Sequence, residues 1–228
     1  MGALRELFYH MDWISLMLFV MSAAACLICL TVHELSHGLA AWRLGDPTAK
    51  VNGRLTLNPI AHIDWIGLFL LLVAGVGWAK PVPVDMRNFR RPKRDMAITA
   101  LAGPVSNFLL ALIALGIGSL LLRFGPEGLV TAYALLFFCQ LALVSVGLGL
   151  FNLIPVPPLD GSRLLSACLP DNAYRFVMRY ERFLVVVVVL LAWSGALSGP
   201  LSAAVAGVME LLCRCTGFPF ALVTYYFF

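Results

Sequence analysis

Two histidines and a glutamate inside an apolar run carry the chemistry this chain offers most plainly, in Thr31-Val32-His33-Glu34-Leu35-Ser36-His37-Gly38. On a helix His33 and His37 lie about one turn apart, so both imidazoles project from one face and can share a metal ion. Glu34 stands beside them with a carboxylate free to move protons. The spacing alone is short enough to arise by chance, but its setting is not. An ionisable side chain near the middle of a membrane helix costs about 2.5–3.5 kcal/mol on insertion scales, and function is the usual reason for keeping one. Three such groups within five residues read as a metal site. Zinc is the expected ion from the ligand types, and the same set would also accept iron or cobalt.

A hydrolytic zinc centre has three protein ligands and a fourth position for water or substrate, so the two histidines need a partner. Asp160 is chosen. It is the acidic residue in Asn152-Leu153-Ile154-Pro155-Val156-Pro157-Pro158-Leu159-Asp160-Gly161, where the prolines forbid regular helix. Broken backbone at membrane depth is tolerated where it lines a cavity, and Gly161 lets the chain turn tightly so that the carboxylate reaches inward. Asp64 and His62 are the competitors for this place. Asn107 is suited to hydrogen bonding across helices or towards the site, and Gln140 to interhelical bonding. Glu210 reads as a snorkelling side chain. The six cysteines, Cys26, Cys29, Cys139, Cys168, Cys213 and Cys215, lack a disulfide-framework spacing and read as small core residues.

The elements that must position these groups are membrane helices. Of 228 residues 61% are hydrophobic and 12% charged, and the mean hydropathy is +0.91, which describes an integral membrane protein and leaves no room for a sizeable soluble domain. The net charge of +4 comes mostly from one loop, so it speaks to topology and not to nucleic acid. The expected fold is all-α and polytopic, with about five or six transmembrane helices, a small membrane-associated β element and a possible re-entrant segment, in one domain over 1–228. Trp13 to Val32 contains no ionisable residue, is long enough to span, and continues through the histidines to about Trp42. It shows no signal-peptide pattern. Gly45-Asp46-Pro47 ends the helix. From Ala49 to Asn58, Val51, Leu55 and Leu57 alternate with polar residues, which predicts a strand broken by Gly53. Residues 65–79 are apolar but short for a span. Lys80 to Asp95 gathers six cations against two acids and is expected on the cytoplasmic side. Two clear spans come next, 96–122 and 129–151, with further helices from about 183 to 228. If Asp160 and both histidines meet near the cytoplasmic face, 65–79 re-enters instead of crossing.

Taken together, these motifs resemble those of the site-2 proteases, the M50 family of intramembrane metalloproteases, and more particularly a compact bacterial branch without a PDZ domain. The resemblance rests on His33-Glu34-x-x-His37, on Gly103-Pro104-x-x-Asn107 opening another helix, and on Asn152-x-x-Pro155 with Leu159-Asp160-Gly161 after a third. It covers about residues 13–165, the expected catalytic core. It implies Zn2+ held by His33, His37 and Asp160, Glu34 as general acid/base, and Asn152 as a polar group near the reacting carbonyl. The implied activity is hydrolysis of peptide bonds within or next to transmembrane segments. The implied partners are a transmembrane protein substrate and the lipid bilayer, and the implied location is the bacterial cytoplasmic membrane, with the site towards the cytoplasm. The strand edge at Val51, Gly53, Leu55 and Leu57 is expected to hold an unwound substrate by β-augmentation, with Asn107 also on the substrate side. Two other classes compete. A silent substrate-holding scaffold would not need Glu34, and a metal-ion transporter would need more intramembrane ligands than Gln140 and Glu210 supply.

Overall fold

The computed structural model describes residues 13–65, 80–170 and 180–227, and among these the protein is helical. Helix α1 runs over Trp13–Arg43, α2 over Thr48–Val51, α3 over Pro92–Phe124, α4 over Leu129–Asn152, α5 over Asp160–Cys168, α6 over Glu181–Trp193, α7 over Ser198–Thr216 and α8 over Phe220–Phe227. Short 3-10 turns occupy Pro59–His62 and Met86–Asn88. Three of the described helices, α1, α3 and α4, are long and apolar enough to cross a membrane, and this is a membrane protein. The re-entrant reading of 65–79 falls on residues outside those described, apart from Trp65.

The three long helices form the frame. α3 packs against α1, α4 and α5, α4 also contacts α1, and α7 closes on α3 and α4. Small side chains permit this close approach. Ala25 and Cys29 of α1, Ala111 and Ala114 of α3, and Cys139 and Ala142 of α4 are buried in one cluster with Leu115, Val146 and Met209. Cys29, Cys139 and Cys213 are free thiols in that core, as their residue type favours. Gln140 bonds the Ser22 hydroxyl and so ties α4 to α1. Glu210 does not snorkel alone but pairs with Arg214 one turn on, at 2.6 Å.

The expected strand over Val51 to Leu57 does not form. Ala49 and Val51 belong to α2, and local helix-ending bonds win over strand pairing. Gly53 N–H donates to Lys50 O (3.0 Å), Arg54 N–H donates to Ala49 O (2.9 Å), and Gly53 takes the left-handed φ of +65° that this ending requires. Leu55 then folds back over Gly38 of α1, leaving Val51 and Leu57 exposed. Period-two alternation is satisfied here by a helix end, because the pattern spans too few residues to exclude one. Among the described residues there is no strand, only an isolated bridge residue at Ile63.

An irregular strap over 80–85 lies beyond α1 and α2 and returns the chain towards α3. Gly45 (φ +107°) ends α1 in the same manner as Gly53 ends α2, with Gly45 N–H on Trp42 O and Asp46 N–H on Ala41 O. The buried Asp46 carboxylate then accepts the Thr48 N–H at 3.0 Å, the Asn88 amide at 2.8 Å and the Asp85 N–H at 2.7 Å. It also accepts the Thr48 hydroxyl. The other end of the strap is fixed by Lys80 N–H on His62 O and by the Arg54 guanidinium on Lys80 O at 2.6 Å. Burial pushes the Asp46 carboxyl up, but these donors outweigh it and hold its pKa below the ordinary carboxylate value.

Because the folded-state pKa of Asp46 is lowered, its contribution to stability is present above the unfolded pKa of about 3.9 and is lost as pH falls through the folded value. Asp46→Ala is expected to destabilise the protein by about 2–4 kcal/mol at neutral pH, since it strands buried donors. The deficit should shrink as pH falls below the unfolded value. Thermal unfolding of both proteins in detergent across pH checks this, and a pH-independent deficit would contradict it.

Candidate metal centre

α1 carries His33, Glu34 and His37, and α3, packed on α1, together with α5, packed on α3, completes the site. Asp160, the first residue of α5, places Oδ2 3.0 Å from His33 Nε2 and 3.1 Å from His37 Nε2, and the two imidazole nitrogens are 3.0 Å apart. Among the described residues these three form the one group of histidine, cysteine or acidic side chains placed to hold a metal ion. His62 is buried elsewhere, with its Nε2 bonded to the Thr56 carbonyl at 2.9 Å, and neither it nor Asp64 joins the group.

The donor set fits zinc on three counts. Bonds of roughly 2.0–2.1 Å in tetrahedral arrangement place ligand atoms about 3.3 Å apart, close to the triangle seen here. The His37 tautomer is also fixed. Its Nδ1 lies 2.7 Å from the Thr99 carbonyl, which can only accept, so the proton sits on Nδ1 and the Nε2 lone pair faces the cluster. A lone pair, a carboxylate oxygen and a second imidazole at this distance repel one another unless a cation lies among them. Finally, Asn107 is wholly buried and its Nδ2 stands 3.3 Å from His33 Nδ1, while its Oδ1 has no partner. Amide oxygen and nitrogen are exchangeable in such assignments. Turning the amide gives Oδ1 the His33 Nδ1–H as donor and frees His33 Nε2 in the way that Thr99 frees His37 Nε2. The expected place of Asn107 is towards the substrate. Its contact in the structure is with His33 across the helices, and it is not among the residues that line the cavity described below.

The helix carrying Asn107 comes this near because of Gly103. A Cβ there would lie 2.5 Å from His37 Nε2 and 2.6 Å from His33 Cε1, so only a glycine leaves room for both rings. Gly161 has a similar reason. A Cβ would run into the carbonyls of Leu153 and Ile154, so the turn after α4 closes directly on the start of α5. That contact, more than a special backbone angle, sets Asp160.

Glu34 is held as well. Its Oε2 accepts the Val82 N–H at 2.8 Å from the strap. A cavity of about 230 Å³ opens on the group, lined by His33, Glu34 and His37 together with Pro81, Val82, Asn152 and Arg163. Asn152 stands on that wall, its amide donating to Leu148 O at 3.0 Å. Sequence reasoning missed Val82, Thr99 and Arg163. Two of the three act through backbone atoms, which leave no mark on residue type. The signal for the strap was Pro81-Val82-Pro83, since residues before proline are pushed to extended backbone.

A family model described as peptidase family M50 matches residues 126–194. The chain is 41% identical over 167 residues to "Putative zinc metalloprotease YwhC" of Bacillus subtilis, an alignment covering 72% of this chain and 76% of that one. Proteins given the same description with the name Rip2 match at 32% over 185 residues in Mycobacterium tuberculosis (79% and 70% covered) and at 31% over 180 in Mycolicibacterium smegmatis (76% and 67% covered). No solved structure matches the chain.

Gly103→Ala is expected to force the two imidazoles apart, lowering both zinc content after dialysis and peptidase activity at least tenfold, the range seen when groups supporting metal ligands are lost. Thermal unfolding should change little. Retention of full zinc and activity would show that α3 can withdraw at no cost.

Proposed function

This chain belongs to peptidase family M50, the site-2 protease family, and is a zinc metalloprotease; we propose that it hydrolyses peptide bonds within or next to the transmembrane segments of other membrane proteins. The observation that carries this reading is the meeting of His33, His37 and Asp160 at 3.0–3.1 Å beside Glu34, among helices long and apolar enough to cross a membrane. The two Nε2 atoms and an Asp160 carboxylate oxygen would hold the zinc. When bound, it supplies a Lewis acid for the scissile carbonyl and brings the acidity of water towards neutrality.

The chain's own groups do the rest. Glu34 takes a proton from the attacking water and returns it to the leaving amide nitrogen. Its Oε2 is occupied by the Val82 N–H, which orients the carboxylate and leaves Oε1 for the proton. Thr99 and Asn107 keep the imidazole lone pairs facing inward. Asn152 gives one amide hydrogen to Leu148, and its second is available to the oxygen on which negative charge develops.

A cavity of about 230 Å³ does not admit a helix some 10–12 Å across, so the substrate enters unwound. That suits the chemistry, because helical carbonyls are bonded and shielded. We place the protein in the bacterial cytoplasmic membrane with the cavity towards the cytoplasm, a reading supported by Arg87, Arg90 and Arg91 after the strap and by Lys93 and Arg94 in the first turn of α3.

The test uses the full chain in detergent with a single-span protein as substrate, mapping the cut by mass spectrometry. Wild type is expected to carry one zinc and to cut inside or beside the span. Asp160→Ala should lose the zinc, while Glu34→Gln keeps it and loses at least a hundredfold in rate. Chelation should abolish cleavage and zinc addition restore it. Zinc retained by Asp160→Ala, or cleavage by Glu34→Gln at the wild-type rate, would refute the assignment.

A further inference from the structure

Where α1 ends and α3 begins, a second cavity of about 430 Å³ lies apart from the zinc ligands. It is lined by Arg43, Leu44 and Gly45 from the end of α1 and by Arg90, Arg91, Arg94 and Asp95 from the start of α3. Four exposed arginines therefore border one space. Among the described residues none of them makes an ion pair, in contrast to Arg87 with Asp85 and Arg214 with Glu210. The one acid of the lining does not neutralise them. Asp95 is buried, and its Oδ2 accepts the Arg91 backbone N–H at 2.9 Å, directing its charge to the helix start.

Like charges gathered without counter-ions repel one another, and a phosphate among them would remove that repulsion with charge-assisted, bidentate bonds. Charge specifies an anion, and the surface beside the cavity specifies its source. Arg94 heads an exposed stripe on α3 that runs through Ile98, Leu101, Val105 and Leu109, each three or four residues beyond the last, and continues through Ile113, Ile117 and Leu120. From Ile98 to Leu109 the stripe covers about 16 Å, roughly half of a 30 Å hydrocarbon core. Trp42, exposed next to Arg43, has the amphipathic character of side chains at headgroup level. A basic cavity at the head of an apolar helix face, whose nearer half is one leaflet deep, matches a molecule with an anionic head and an acyl tail.

We propose that the Arg43, Arg90, Arg91 and Arg94 cavity binds the phosphodiester headgroup of an anionic phospholipid whose acyl chain lies along Ile98, Leu101, Val105 and Leu109. The site is independent of the zinc ligands.

The experiment measures lipid retention on the full-length protein by native mass spectrometry, titrating dioleoyl phosphatidylglycerol against dioleoyl phosphatidylcholine. One phosphatidylglycerol should bind at least tenfold more tightly than phosphatidylcholine. Arg43→Gln with Arg94→Gln should weaken it about 25-fold, some fivefold for each charge removed near a membrane surface. Arg123→Gln, at the far end of α3, should leave binding unchanged. Arg90→Gln with Arg91→Gln serves as a second pair should the first fail to fold, and unchanged unfolding temperature in phosphatidylcholine micelles certifies either pair. Equal affinity for the two lipids would overturn the proposal, as would phosphatidylglycerol binding unchanged in a folded pair. Inorganic phosphate that protects against unfolding as well as phosphatidylglycerol would overturn it in favour of a free anion.

Discussion

Everything in this structure answers to the cost of placing two imidazoles and two carboxylates away from water. A polar group that loses its hydration must find protein partners, and each of these four does. His37 has the Thr99 carbonyl, His33 the Asn107 amide and Glu34 the Val82 N–H, while Asp160 faces the two imidazole Nε2 atoms across the place a cation would take. The partners come from α3, the strap and α5, so satisfying the site requires those three segments to converge on α1. Convergence in turn requires small residues where backbones meet. Gly103 and Gly161 are buried at contacts that a single methyl group would prevent. The polar demand and the packing demand are thus met at the same places.

The outer supports extend the same logic. The strap has no regular structure to hold it, and its position depends on anchors at both ends, Asp46 on the Asp85 side and Arg54 with His62 on the Lys80 side. Asp46 and Arg54 lie at the ends of α1 and α2, each closed by a glycine in left-handed conformation. Order at two helix ends becomes the orientation of a carboxylate one strap away. Such supports are costly to lose because no solvent stands ready to replace them.

Much of this was legible in the chain, for reasons that can be traced to particular residues. His33, Glu34 and His37 announced themselves because charge in an apolar helix has few explanations, and Asp160 because prolines on its N-terminal side had to break the helix. The spans came from length and hydropathy. Anything that acts through the peptide backbone escaped. Thr99 and Val82 contribute a carbonyl and an N–H, and any residue at either position except proline at 82 would write the same bond. The strand over Val51 to Leu57 was misread for a related reason. Alternation records which side chains meet apolar surroundings, and a helix end with Leu55 folding onto Gly38 gives the same record as a short strand. Asn107 could be read as bonding across helices or towards the site, and its contact with His33 is of the first kind, because its residue type reports a need for hydrogen bonds and not their direction.

The strap itself has a property set by its composition. Pro81 and Pro83 have no N–H, and the N–H of Val82 is already given to Glu34. Across these three consecutive residues the backbone therefore has no donor left to offer, and only carbonyl oxygens remain for a neighbour. A peptide lying beside them could be gripped through its own N–H groups and never through its carbonyls. One-sided bonding of this kind cannot build the reciprocal ladder by which extended chains stack on their own copies, so the segment beside Glu34 is protected from self-association by the same bond that aims that carboxylate.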